Sequence, residues 1–195
     1  MYSSTSICNM ALGYLGQAPI SSLKQDNERA RWLQLFYEPV RDEVLRTHNW
    51  AFAAIEKPLI RLAHVPVCPG HFYYKYPADA LFVRRISAPN QLQYPLPFTE
   101  QYDTAQHQRI LIVGVAEAWV YYTRRITDET QFDAAFAKTF ALALASDAAL
   151  ALTGDVTLAT RLQQQYALYL EEARRANMAE NLAVLPQTDG FSEVR

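Results

Sequence analysis

Seven of the ten prolines in this 195-residue chain (Pro58, Pro66, Pro69, Pro77, Pro89, Pro95 and Pro97) fall within one stretch of it. Proline interrupts a helix interior and cannot donate to a sheet ladder. The stretch is therefore closed to a long helix and admits only short strands, sheet edges and turns. Between the prolines lie runs rich in aromatic and β-branched residues, "FYYKY" (Phe72–Tyr76) and "ALFVRRI" (Ala80–Ile86), which read as strands. In "LQYPLPF" the residues Leu92, Tyr94, Leu96 and Phe98 alternate with Pro95 and Pro97, which suits an edge strand or an extended arm. "RILIV" (Arg109–Val113) and "AWVYYTRRI" (Ala118–Ile126) complete a sheet of about four or five strands.

On both sides of this stretch the hydrophobic period changes to that of a helix. Ile7, Cys8, Ala11, Leu12 and Leu15 form one stripe, with N-caps among Ser3, Ser4 and Thr5 and a stop at Gly16 and Pro19. A second helix starts near Asp26 and reaches about His48, with a kink or break expected where Pro39 crowds Phe36 to Glu38. "HNWAFA" closes it. After the strands, Thr127 or Asp128 caps a helix carrying Phe132, Phe136, Phe140, Leu144 and Ala148, and Gly154 ends it. Thr157 caps a last helix with Leu158, Leu162, Tyr166, Tyr169 and Ala173 on its buried face. The segment from Asn181 to Arg195 shows no sustained period.

The expected fold class is α+β, mostly α. Residues 1–57 and 127–180 form a helical bundle, residues 58–126 a small inserted antiparallel β domain, and residues 181–195 a C-terminal extension. The sheet must bury one face against the bundle or against another subunit.

Half the residues are hydrophobic, so the chain is globular. A net charge of -2 and a pI near 6.1 argue against a free nucleic-acid binder. Cys8 and Cys68 form no CxxC pair, which points to a reducing compartment. No signal peptide is expected from "MYSSTSICNM". Ala134 to Leu152 is apolar enough to suggest a membrane span. It is rich in alanine and holds Lys138 and Asp147, so it reads as a helix packed inside protein.

Chemical motifs are sparse. HExxH, GxSxG, Walker and GxGxxG patterns are absent, and six glycines leave little for a phosphate-cradling loop. His64, Cys68 and His71 lack zinc-ligand spacing. The adjacent carboxylates Asp128 and Glu129 read as first-turn charges favoured by the helix dipole. Catalysis needs two groups converging on one bond, and no such pair is evident. No catalytic residue, metal or cofactor is assigned. The double arginines Arg84/Arg85 and Arg124/Arg125 stand at strand ends. They read either as surface charge and salt bridges or as subunit contacts or the lining of a channel. The many tyrosines in and beside the β stretch suit either a β core or an interface.

Several runs, in order, resemble the tail tubular protein A family, the head-to-tail adaptor (connector) proteins of tailed phages. They are "ICNMALGYLGQAPISSL", "ARWLQLFYEPVRDEVLRTHNWAFA", "YPADALFVRRI", "AWVYYTRRITDETQFDAAFAKTFALALASDAALALTGD" and "LYLEEARRANMAEN". The resemblance implies a structural virion protein at the head–tail junction of the phage tail, made in the host cytoplasm. Such proteins close as a homo-oligomeric ring of about twelve copies by head-to-tail contacts. The ring docks on the portal protein, extends the DNA channel and seats the tail nozzle protein. DNA passes its lumen without sequence-specific binding, and no membrane is involved. Subunit or portal contacts are then expected at Arg84, Arg85, Tyr94, Phe98, Tyr121, Arg124, Arg125, Leu185 and Phe191. Two other readings stand beside it. One is a virion-associated cell-wall hydrolase using Asp79, Asp128 or Glu129; the other is a cytoplasmic small-ligand-binding domain.

Overall fold

The computed structural model describes residues 1–63, 70–104 and 106–181. Among them are four α-helices and six strands in two antiparallel sheets, an α+β fold. The helices are α1 (Ser4–Tyr14), α2 (Glu28–Thr47), α3 (Ala134–Thr153) and α4 (Val156–Asn181). The strands are β1 (Ala54–Pro58), β2 (Phe72–Lys75), β3 (Ala80–Ser87), β4 (Phe98–Asp103), β5 (Gln108–Val113) and β6 (Trp119–Arg124).

Local chemistry sets the helix ends. Ser3 and Ser6 form a reciprocal capping box: Ser3 Oγ accepts from the Ser6 amide at 3.1 Å, and Ser6 Oγ accepts from the Ser3 amide at 2.8 Å. Asn27 caps α2 by accepting from the Ala30 amide at 2.8 Å. Gly154, at φ +66°, takes the left-handed turn that ends α3. Pro39 does not break α2, which runs unbroken from Glu28 to Thr47.

Two helix starts differ from expectation. Asp128 caps only a 3₁₀ turn, Glu129–Gln131, and α3 begins at Ala134. Its cap is Asp133, whose Oδ1 accepts from the Phe136 amide at 2.6 Å. Phe132 lies between the two, in extended conformation, because its ring must turn inward to join the helical core. Likewise Asp155, not Thr157, caps α4 by accepting from the Leu158 amide at 3.0 Å. Replacing Asp133 by Ala should cost about 1 kcal/mol of unfolding free energy, read from a urea titration. An unchanged midpoint would show that the cap is dispensable.

The strands form two three-stranded sheets, where one sheet of four or five strands was expected. β6 pairs with both β1 and β3, and β5 pairs with both β2 and β4. β1 begins at Ala54, inside the segment read as bundle. "AIEKP" has no alternation of its own and becomes a strand by pairing with β6. Its proline is the last residue of an edge strand, where a missing donor costs little. The "LQYPLPF" run is a turn at Gln91–Tyr94, followed by Leu96, whose amide donates to Ile86 O at 2.7 Å; only Phe98 enters a strand.

Two apolar clusters result. One is drawn from all four helices, with Trp50, Leu81, Ile126 and Phe132. Helix α3 is its centre, packed by α1, α2 and α4. It is long and apolar enough to cross a membrane, but most of that apolar stretch is buried inside the protein. Trp50, Phe52, Phe132, Phe136 and Phe140 stack around one another, the closest ring centroids 4.7 Å apart. The second cluster lies between the sheets, where Val83, Ile86, Val120 and Tyr122 meet Tyr74, Leu111 and Val113. Each such side chain contributes roughly 1.5–3 kcal/mol on burial, whereas an exposed ion pair contributes about 0–1 kcal/mol. Apolar burial therefore dominates the stability of both halves.

Candidate interface site

The last turn of α2 leaves carbonyl oxygens without helical donors. Side chains from β3, from α4 and from the connection after α2 supply them. Trp50 Nε1 donates to Val44 O at 3.0 Å. Arg84, from β3, donates through one terminal nitrogen to Arg46 O at 2.8 Å and His48 O at 2.7 Å. Arg174, from α4, donates to Thr47 O at 2.9 Å. A guanidinium suits this post, because its positive charge also complements the negative end of the helix dipole. Arg84 reaches it from a register irregularity in β3 between Val83 and Arg85, and its Nε donates to Thr123 Oγ1 at 3.0 Å.

Asn177 joins the same place. It is buried on α4, and its Oδ1 accepts from the Ala51 amide at 3.1 Å. Its Nδ2 donates to Asn49 O at 3.1 Å and lies 2.9 Å from His48 Nε2. Asn49 Nδ2 donates in turn to Tyr121 Oη at 2.7 Å. Burial and the charges of Arg174 and Arg84 hold the His48 pKa below the usual histidine range, against a smaller opposing effect of Glu171. Of these groups, the sequence reading singled out only Arg84 and Tyr121. The signal for Asn177 was present: it stands four residues after Ala173, a polar side chain on the apolar stripe of α4.

The other expected contact residues are divided among different surroundings. Arg85 crosses the Tyr121 ring, 5.1 Å from its centroid, to reach Glu56 Oε1 at 3.1 Å. Glu56, Tyr121 and Arg85 form one row across β1, β6 and β3. Arg124 donates to Gln131 Oε1 at 2.9 Å, and Arg125 Nε lies 2.7 Å from Asp42 Oδ2. Asp42 also takes two donors of the buried Arg41, so it neutralises that cation. Phe98 is half-buried against the sheet cluster, and Tyr94 is 60% exposed. Leu185 and Phe191 lie outside the described residues.

The carboxylates weighed for hydrolysis have separate posts. Asp79 accepts from Tyr122 Oη at 2.8 Å, with Lys57 Nζ at 3.5 Å. Asp128 accepts from Thr130 and Gln131. Glu129 accepts from Tyr37 Oη at 3.0 Å. Desolvation, reinforced by Glu129, raises both the Tyr37 phenol and the nearby Cys8 thiol, the latter to about 12, so neither ionises near neutral pH. No cluster of three potential metal ligands occurs among the described residues, and His64 and Cys68 lie outside them. An open cleft of about 830 Å³ lies between the start of α1 and α2, lined by Ser4, Thr5, Lys24, Arg31, Leu35 and Tyr37.

Large apolar side chains stand exposed on both kinds of element. Leu35, Leu168 and Met178 project from α2 and α4, and Ile60, Tyr94 and Tyr102 from the β part. No protein-family model matches this chain, and no curated protein does.

Proposed function

We propose that this chain is a structural virion protein, a head-to-tail adaptor whose copies close as a ring beneath the portal. On this reading the helices from both parts of the chain, 1–57 and 127–180, form one bundle that carries the β insertion 58–126. The two separate apolar clusters support that division. The family-like runs supply the functional expectation. One observation carries the interface: exposed apolar side chains occur in the helical part and in the β part alike. A head-to-tail contact needs two different patches on each subunit, one for each neighbour.

The ring would comprise about twelve copies, seat the portal on one side and the nozzle protein on the other, and pass DNA through its lumen. A near-neutral chain suits that lumen, because strong phosphate contacts would retain the genome. No cofactor and no chemical step belong to this role.

Leu35→Asp and Leu168→Asp test the patches. Both side chains are exposed, so each variant should melt within about 0.5 kcal/mol of wild type. Each should lower ring yield at least tenfold in size-exclusion chromatography. Full assembly by both variants would remove these two helices from the interface.

A further inference from the structure

We propose that His48 and Asn177 form a pH-sensitive latch that holds the C-terminal turns of α4 against the end of α2, closed while the imidazole is neutral and released when it is protonated. The amide of Asn177 lies between two backbone groups. Its Oδ1 takes the Ala51 N–H and its Nδ2 faces Asn49 O. Turning the amide over would set nitrogen against N–H and oxygen against carbonyl, so its orientation is fixed by its neighbours. The Nδ2 group facing His48 Nε2 at 2.9 Å is therefore a donor. His48 Nε2 must accept, which makes His48 the neutral tautomer with its proton on Nδ1.

Protonation places an N–H on Nε2. Two donors then face each other, and the contact turns repulsive. The charged groups around the ring act in the same direction. From β3 the Arg84 guanidinium and from α4 that of Arg174 both oppose a second positive charge; Glu171, also on α4, opposes them weakly. Trp50, edge-on at 5.2 Å, and Asn49 contribute no charge. The joint is also incompletely satisfied when closed, since Asn49 Oδ1 and Arg174 Nε are buried without a hydrogen-bond partner. Opening gives both atoms access to water, which reduces its cost. Arg174 holds Thr47 O, two residues before Asn49 in the chain, so release of Asn177 exposes that contact too.

The sign follows from linkage. A histidine held neutral in the folded state has its folded pKa below the unfolded value of about 6.5. The latch is intact above that pH. Stability declines as pH falls below it, because the unfolded chain takes up the proton first, and the decline levels off below the folded pKa.

His48→Gln tests this, because a glutamine can present its side-chain oxygen to Asn177 without titrating. Between pH 7.5 and 5, wild type should lose at least about 3 °C of Tm more than the variant, on the scale expected when a protein of this size loses about 1 kcal/mol. Relative to the intrinsic exchange rate at each pH, the hydrogen-exchange protection of residues 170–181 should fall over the same range in wild type only. If His48→Gln folds poorly, nitrogen NMR of wild-type imidazoles decides. The expected signature is an Nδ1-protonated His48 that titrates below 6.5. Parallel melting profiles for a well-folded variant, or a His48 that is protonated on Nε2 or titrates above that value, would overturn the latch.

Discussion

Phe136→Ala should cost about 3–5 kcal/mol, the usual range for deleting a buried aromatic ring. Phe136 is fully buried and packs against four rings at once, with centroid distances of 5.2 Å to Trp50, 5.1 Å to Phe52, 4.7 Å to Phe132 and 6.1 Å to Phe140. Those rings belong to different segments: the turn after α2, the entry to α3, and α3 itself. They cannot all move into the vacated space, because α3 is fixed on its other sides by α1, α2 and α4. Since a domain is stable by only about 5–15 kcal/mol, the loss should lower Tm by roughly 10 °C. Urea unfolding monitored by tryptophan fluorescence measures it directly. A cost under about 1 kcal/mol would mean that the aromatic cluster is not the centre of the helical core.

Arg84→Met should cost about 3 kcal/mol, mainly because the carbonyls of Arg46 and His48 at the end of α2 and Thr123 Oγ1 lose one charged donor group. Methionine retains much of the apolar stem, so the loss reports on hydrogen bonds more than on volume. Arg84→Lys should recover only part of it, since an ammonium on a flexible stem cannot span three acceptors as a guanidinium does. From sequence, Arg84 was expected at a subunit or portal contact. Because its hydrogen bonds lie within the subunit, folding should suffer before assembly when it is replaced. A variant as stable as wild type that fails to assemble would instead place Arg84 at a subunit contact.

Much of the helical part was legible in the sequence because each helix carries its own signals. The caps at Ser3 and Gly154 and the stripe through Phe136, Phe140 and Leu144 are local, and the structure keeps them. The errors arise where distant partners decide. β1 lacks strand character and acquires it from β6. The division of the strands into two sheets depends on β5 rather than β6 pairing with β2 and β4, which no local pattern encodes. Asp128 has the chemistry of a cap, yet Phe132 has to enter the core and delays the helix to Asp133. The candidate site was legible only in part. Arginines at strand ends were visible, but their partners, the carbonyls of α2 and the acids Glu56 and Asp42, are remote in sequence. The stretch Arg124–Phe136 is a joint between layers. Arg125 binds α2 through Asp42, Glu129 binds α2 through Tyr37, and Phe132 and Phe136 enter the core.

The most direct measurement is electron microscopy of the purified chain at micromolar concentration, alone and mixed with its portal protein, with copies counted in the averaged particles. The account predicts closed rings, about twelve copies each, seated coaxially on the portal. Particles that stay single with and without portal, or a well-behaved monomer that turns over a cell-wall substrate, would contradict it.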